Sequence, residues 1–243
     1  MSRESRERIP PAVRRITLIT GHYGCGKTNF SINLALDLRA HHDRVTIVDL
    51  DVVNPYFRSS DYREMLAARG VHVIAPVFAG TTLDVPALSA AVPAALRSDD
   101  WVIVDGGGDD VGATALGAFA AELSGTDHDL LYVVNRYRNL TATPSEAEGV
   151  LREIEAASRL TATGVVNNSH LQRETTAQTV LDAVPFGRDT ARLLRLPLVC
   201  TTVPAVLLTD GAGRKAAGSL ENAYPVEVYV RPPWEPPTDD DER

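Results

Sequence analysis

Short apolar, β-branched runs alternate along this chain with longer stretches of mixed polarity. The first run is Ile16-Thr17-Leu18-Ile19-Thr20, and others recur at Val45–Val48, Val71–Ala75, Trp101–Val104, Leu130–Val134, Ala162–Val166, Leu198–Val203 and Val226–Val230. Runs of this length, mostly apolar and rich in β-branched residues, read as strands buried on both faces. The intervening segments have helical spacing. Asn29 to Leu38 places Phe30, Ile32, Leu34, Ala35 and Leu38 on its apolar positions, and Arg63–Ala68, Ala113–Leu123 and Pro144–Arg159 are long enough for further helices. The last of these carries its own start signal, with Thr143 as N-cap, Pro144 in the first turn and then Glu146. Strand alternating with helix predicts an α/β fold with three layers, a mostly parallel central sheet flanked by helices. Right-handed crossovers then collect the C-terminal strand ends along one edge, where such sheets bind ligands.

Composition narrows this picture. The chain has 243 residues, 44% of them hydrophobic, which suffices for one large core. Residues 14–230 read as one domain. Residues 1–13, arginine-rich and ending near Pro10-Pro11, and the acidic, proline-rich tail 231–243 read as flexible segments. A net charge of −8 argues against coating nucleic acid, so no nucleic-acid partner is expected. Cys25 and Cys200 are the only cysteines, too few for a disulfide framework or a four-thiolate zinc site. The polar N-terminus carries no secretory pattern, and no apolar run approaches membrane-spanning length. The tail's prolines and acidic residues also oppose a lipid-binding amphipathic helix, so a cytoplasmic protein with no membrane partner is expected.

The chemistry concentrates at Gly21-His22-Tyr23-Gly24-Cys25-Gly26-Lys27-Thr28, a G-x-x-x-x-G-K-T sequence between the first strand and the first helix. Glycines there allow backbone N–H groups to converge on one point, and the helix N-terminus adds partial positive charge. These residues and the adjoining Asn29 are the candidate nucleotide contacts. Lys27 would bridge the β- and γ-phosphates, and the Thr28 hydroxyl would bind Mg²⁺. Such a loop needs a carboxylate on a neighbouring strand, and Trp101-Val102-Ile103-Val104-Asp105 ends in one. Asp105 is therefore a metal candidate, and Gly108, closing a D-x-x-G pattern, would sense the γ-phosphate through its N–H. Asp109 and Asp110 read as a solvated turn. A second acidic strand end, Asp49-Leu50-Asp51, places two carboxylates on one side of the chain, which favours a site beside a cation. Arg58 suits either a phosphate clamp or an ordinary surface position.

Together the phosphate loop, Asp49-x-Asp51, Asp105-Gly106-Gly107-Gly108 and Thr163-Gly164-Val165-Val166-Asn167-Asn168 resemble the MinD/ParA/CobQ-type P-loop ATPases over roughly residues 14–205. The resemblance implies a P-loop NTPase fold, ATP and Mg²⁺ as ligands, and Asp51 as the residue that positions the attacking water. It assigns Asn167 to the adenine edge and Pro185 to the base pocket. Read from the residues alone, Asn167 suits a turn and Pro185 a loop. Asp49 joins Thr28 and Asp105 in the expected metal set. Shorter matches, Asp51-x-x-Asn54-Pro55-Tyr56-Phe57-Arg58 among them, resemble a bacterial ParA-like subgroup. The chain departs from many such ATPases at His22, where they carry a signature lysine that reaches across a dimer. The expected activity is a Mg²⁺-dependent ATPase switching an unknown protein partner, as a homodimer. The competing expectation is an ATP-dependent ligase or phosphotransferase activating a small carboxylate, as dethiobiotin synthetase does. Arg58, Tyr56 and Gly80-Thr81-Thr82-Leu83-Asp84 would then shape the pocket for that small-molecule acceptor.

Overall fold

The computed structural model describes residues 11–51, 58–75, 91–108 and 110–230. The N-terminal ten residues, Tyr56, the 80–84 stretch, Asp109, the side chain of Asp110 and the tail 231–243 lie outside the described residues. Alternation along the chain yields β1 (Ile16–Thr20), α1 (Lys27–His41), β2 (Val45–Leu50), α2 (Arg63–Ala68), β3 (Val71–Ile74), α3 (Ala91–Arg97) and β4 (Trp101–Gly106). It continues through α4 (Asp110–Gly117), α5 (Ala120–Leu123), β5 (His128–Val134), α6 (Pro144–Ser158) and β6 (Gly164–Asn167). The remaining elements are α7 (Ala177–Asp182), α8 (Val184–Leu194), β7 (Leu198–Pro204), α9 (Gly211–Gly218) and β8 (Ala223–Val226). Among the described residues one eight-stranded sheet runs in the order β3-β2-β4-β1-β5-β6-β7-β8. Every neighbouring pair is parallel. The sheet is therefore parallel throughout, and the order reverses beside β1.

The apolar runs fill both faces of this sheet because successive side chains point to opposite sides. On one face Ile16, Leu18, Val102, Val104, Leu130, Tyr132 and Val134 pack with Leu151 and Ile154 of α6 and Phe186 of α8. On the other, Ile19, Ile47, Ile103, Leu131, Val133 and Val166 pack with Phe30, Ile32, Leu34 and Leu38 of α1. The same alternation decides where polar strand ends go. Asp49 follows Ile47 and Asp105 follows Ile103 by two residues, so both carboxylates emerge on the α1 face.

Local boundaries follow side-chain chemistry. Thr143 caps α6 as expected: its Oγ1 accepts from Glu146 N at 3.3 Å, while Glu146 Oε2 accepts from Thr143 N at 2.8 Å. The segment Ala113–Leu123, expected as one helix, divides into α4 and α5. Gly117 sits where a Cβ would meet Ser158 O at 3.0 Å, so α4 ends against the C-terminus of α6. Arg159 Nη2 takes over the Gly117 carbonyl at 3.0 Å. At the C-terminal edge, the apolar run Val226–Val230 is strand only at its first residue. Beyond it, two asparagines on α1 hold the chain. Asn33 Oδ1 accepts from Glu227 N at 2.8 Å, and Asn29 Oδ1 accepts from Tyr229 N at 2.8 Å. The Asn29 and Asn33 amide groups both donate to Glu227 O.

Candidate functional site

The loop between β1 and α1 lies at the C-terminal edge of the sheet, beside the point where strand order reverses. Gly26 precedes α1 with φ +90°, left-handed backbone that disfavours a side chain. A Cβ there would also lie 2.2 Å from Asn168 Nδ2. Cys25 is buried in the loop, and burial raises its thiol pKa, so it fills space as a neutral group. Tyr23 is exposed at the loop tip, and Gly24 is exposed beside it. Lys27 is 7% exposed, and its Nζ donates to His22 O at 3.3 Å, folded back across the loop. His22 is half-buried; burial first, and then the charge of Lys27, hold its imidazole below the usual range, which keeps it neutral.

Opposite the loop, Asp105 is fully buried. Its Oδ1 accepts from Ser31 Oγ at 3.1 Å, while Oδ2 has no hydrogen-bond partner among the described residues. Burial and the facing Asp49, aligned with it across β2 and β4, push the Asp105 carboxyl up to about 7, against the opposing pull of Lys27, Thr28 and Ser31. Thr28 thus reaches the same carboxylate from the first turn of α1. A buried carboxylate oxygen without a partner, next to a threonine hydroxyl, is a hard oxygen pair suited to Mg²⁺. Among the described residues no group of three His, Cys, Asp or Glu side chains forms a metal cage. Gly108 closes the mouth of the loop: a Cβ there would lie 2.6 Å from Lys27 Nζ and 2.8 Å from Tyr23 N.

A cavity of about 370 Å³ opens from this loop, bordered by residues 23–29 and by Asp51. Asp51 is half-buried at its wall. Asp49, beside Asp105, is engaged by the turn that follows β2: its Oδ1 accepts from Asp51 N and its Oδ2 from Ser60 N, each at 3.0 Å. It shapes the turn that presents Asp51 and adds negative charge beside Asp105. Asn29 borders the cavity, with its side chain engaged by the 227–230 segment.

The two assignments furthest from the loop fall differently. Asn167 is fully buried, its Nδ2 donating to Ala183 O at 3.1 Å on the α8 side. Its neighbour Asn168, one residue on and therefore on the α1 face, borders the cavity instead. Asn168 Nδ2 donates to Cys25 O at 2.7 Å, tying β6 to the phosphate loop. Its Oδ1 accepts from Thr202 Oγ1 at 2.6 Å and lies 3.1 Å from His170 Nε2. His170 Nδ1 accepts from Gln172 N at 3.2 Å, so Nε2 bears the proton and donates to Asn168. Burial, reinforced by Arg138, lowers the His170 pKa to about 4, so the ring is neutral. Pro185 is exposed in the first turn of α8, where a missing N–H costs nothing, and it does not border the cavity. Residues that the motifs did not mark, Asn135, Arg138, His170 and Gln172, do border it, with Val228 and Val230 as an apolar wall.

The sequence profile of the CbiA family, described as the CobQ/CobB/MinD/ParA nucleotide binding domain, matches residues 16–180. The chain belongs to this family. Membership makes it a P-loop nucleotide-binding protein. Comparison with curated proteins gave no match. Among solved structures, FtsY from Mycoplasma mycoides is similar, with a TM-score of 0.52 and 17% identity over 80% of this chain and 61% of that one. The signal recognition particle 54 kDa protein from Aeropyrum pernix, solved with GDP, has a TM-score of 0.51 and 13% identity, over 82% of this chain and 43% of that one. The chain thus spans less than two thirds of either protein, and likeness at this identity is a likeness of fold. No helix among the described residues is long and apolar enough to cross a membrane.

In this family member the left-handed Gly26 gives a direct check on the loop. Gly26→Ala is expected to lower triphosphate affinity at least tenfold, because a positive-φ side chain costs about 1–2 kcal/mol and must also displace Asn168. Equilibrium titration alongside thermal unfolding reads both effects. Unchanged affinity would mean that the loop need not hold this shape.

Proposed function

We propose that this chain is a Mg²⁺-dependent ATP-binding protein and ATPase of the MinD/ParA type, acting as a nucleotide switch on a protein partner. The observation that supports it most is buried Asp105, whose Oδ2 has no hydrogen-bond partner among the described residues and whose carboxylate is stabilised by Lys27 and Thr28. Lys27 would leave His22 O for the β- and γ-phosphates, and the N–H groups of the loop and the first turn of α1 would hold the remaining phosphate oxygens. Thr28 and Asp105 would hold Mg²⁺, with Asp49 setting the charge around them. Bound Mg²⁺ supplies positive charge to the phosphate oxygens as the terminal bond breaks. Asp51, at the cavity wall, would orient the attacking water. Gly108, packed against Lys27 and Tyr23, would report the γ-phosphate to the residues that follow it. A homodimer in the cytoplasm belongs to the same reading, with exposed Tyr23 beside the cavity mouth where a second subunit would close it.

Neutral His22 in place of a lysine favours a second reading, an ATP-dependent ligase or phosphotransferase with a small carboxylate acceptor. Competition separates these possibilities. A fluorescent ATP analogue bound with Mg²⁺ should be displaced by ATP at least tenfold more effectively than by GTP. Equal or better displacement by GTP would refute the adenine assignment. Phosphate release that depends on one small carboxylate would replace the switch with the ligase.

A further inference from the structure

The loop from Asn135 to Thr141, which follows β5, overhangs the phosphate loop and is held from several sides. Asn135 Oδ1 accepts from Tyr137 N at 3.0 Å, Asn135 Nδ2 donates to His170 O at 3.1 Å, and Thr141 Oγ1 donates to Asn135 O at 2.9 Å. Ser169 Oγ accepts from Arg136 N at 3.0 Å, Tyr137 Oη donates to Thr179 O at 2.7 Å, and Arg136 donates to Asp182 O. Arg138 stands in the middle of this pinned loop. Its side chain is exposed, borders the cavity and has no hydrogen bond or ion pair among the described residues. A Cβ on Gly24 would lie 3.7 Å from its Nε. Its charge is felt by Cys25 on one side and His170 on the other. A rigid main chain carrying an unpaired guanidinium over a cradle of N–H groups is a preorganised anion contact.

We propose that Arg138 is a second phosphate-binding cation of this site, contacting the nucleotide's phosphate chain from the β5 loop of the same subunit. The inference rests on the nucleotide reading given above and adds a residue to it. The phosphate loop itself carries one permanent cation, Lys27, while His22 is neutral. A triphosphate with its metal keeps net negative charge, which main-chain N–H groups and one lysine only partly balance. The planar fork of an arginine can take two oxygens at once, which an ammonium cannot.

The test is equilibrium titration of wild type, Arg138→Ala, Arg138→Lys and Lys27→Ala with Mg²⁺–ATP, alongside thermal unfolding of each without nucleotide. Loss of a charge-assisted contact should weaken Arg138→Ala binding about tenfold to a hundredfold. Arg138→Lys should recover part of that loss, and the melting temperature without nucleotide should not move, since the guanidinium makes no hydrogen bond or ion pair among the described residues. Wild-type affinity in Arg138→Ala, with binding lost in Lys27→Ala, would overturn the role of Arg138 and leave the nucleotide site standing. A lower melting temperature with no recovery by lysine would assign Arg138 to holding the loop and overturn the phosphate contact. No binding by wild type would remove both.

Discussion

Lys27→Ala should reduce Mg²⁺–triphosphate affinity by at least a hundredfold, the largest single effect expected in this protein. Lys27 is buried in the loop and is the residue whose Nζ lies under Gly108, where a Cβ would come within 2.6 Å. Among the described residues it donates only to His22 O, a long contact at 3.3 Å that a phosphate oxygen would replace with a charged partner. A buried, charge-assisted contact of this kind contributes about 3 kcal/mol or more, which is a factor of about a hundred in affinity. Titration calorimetry reads the loss, and a circular dichroism spectrum matching wild type shows that the fold remains. Unchanged affinity in a folded variant would mean that the phosphates do not lie against this lysine.

Asp105→Asn should move stability and function in opposite directions. The carboxylate is fully buried, faces Asp49 and leaves Oδ2 without a partner among the described residues, so its charge is costly until a cation arrives. Burial and Asp49 raise its pKa from 3.8 to about 7. Between those values the folded protein binds a proton that the unfolded chain releases, so stability falls as pH rises through this window. The penalty, on the order of a few kcal/mol, is then fully present above neutrality. A neutral amide of the same shape escapes it. The nucleotide-free variant should therefore melt higher than wild type at pH 8, with the difference shrinking toward pH 4. Mg²⁺ should strengthen nucleotide binding in wild type and should no longer do so in the variant. Retained metal dependence would move the ion elsewhere; a lower melting temperature at pH 8 would mean that the carboxylate is better satisfied than its contacts indicate.

The centre of this fold was legible because phosphate loops join local signals that agree. A buried strand, glycines at fixed spacing and a following helix require one another; β1 forms where the pattern places it, and α1 spans the expected Asn29–Leu38 and extends it to Lys27–His41. The acidic strand ends were legible as a pair, since strand alternation sends Asp49 and Asp105 to one face. Their division of labour was not. That Asp49 accepts from the N–H groups of Asp51 and Ser60, leaving Asp51 at the cavity, depends on a turn with no motif of its own. Asn167 and Asn168 show a sharper limit. Adjacent asparagines at a strand end face opposite layers, and which one meets α1 depends on parity with Val166, whose packing against the α1 layer only the folded chain reveals. The Val226–Val230 run misled for a related reason: its β-branched residues extend past the sheet because Asn29 and Asn33, polar positions on a buried helix, bind its backbone. Arg138 carries no sequence signal at all, because its position over Gly24 comes from a loop fixed by side-chain contacts to distant residues.

Titration of the full chain with ATP and GTP, in Mg²⁺ and again in EDTA, is the most direct measurement of whether main-chain N–H groups and a metal between Thr28 and Asp105 hold a nucleoside triphosphate. Saturable one-to-one binding of ATP that weakens when the metal is removed is the predicted result. No association with either nucleotide at millimolar concentration, in a chain whose spectrum shows it folded, would contradict it.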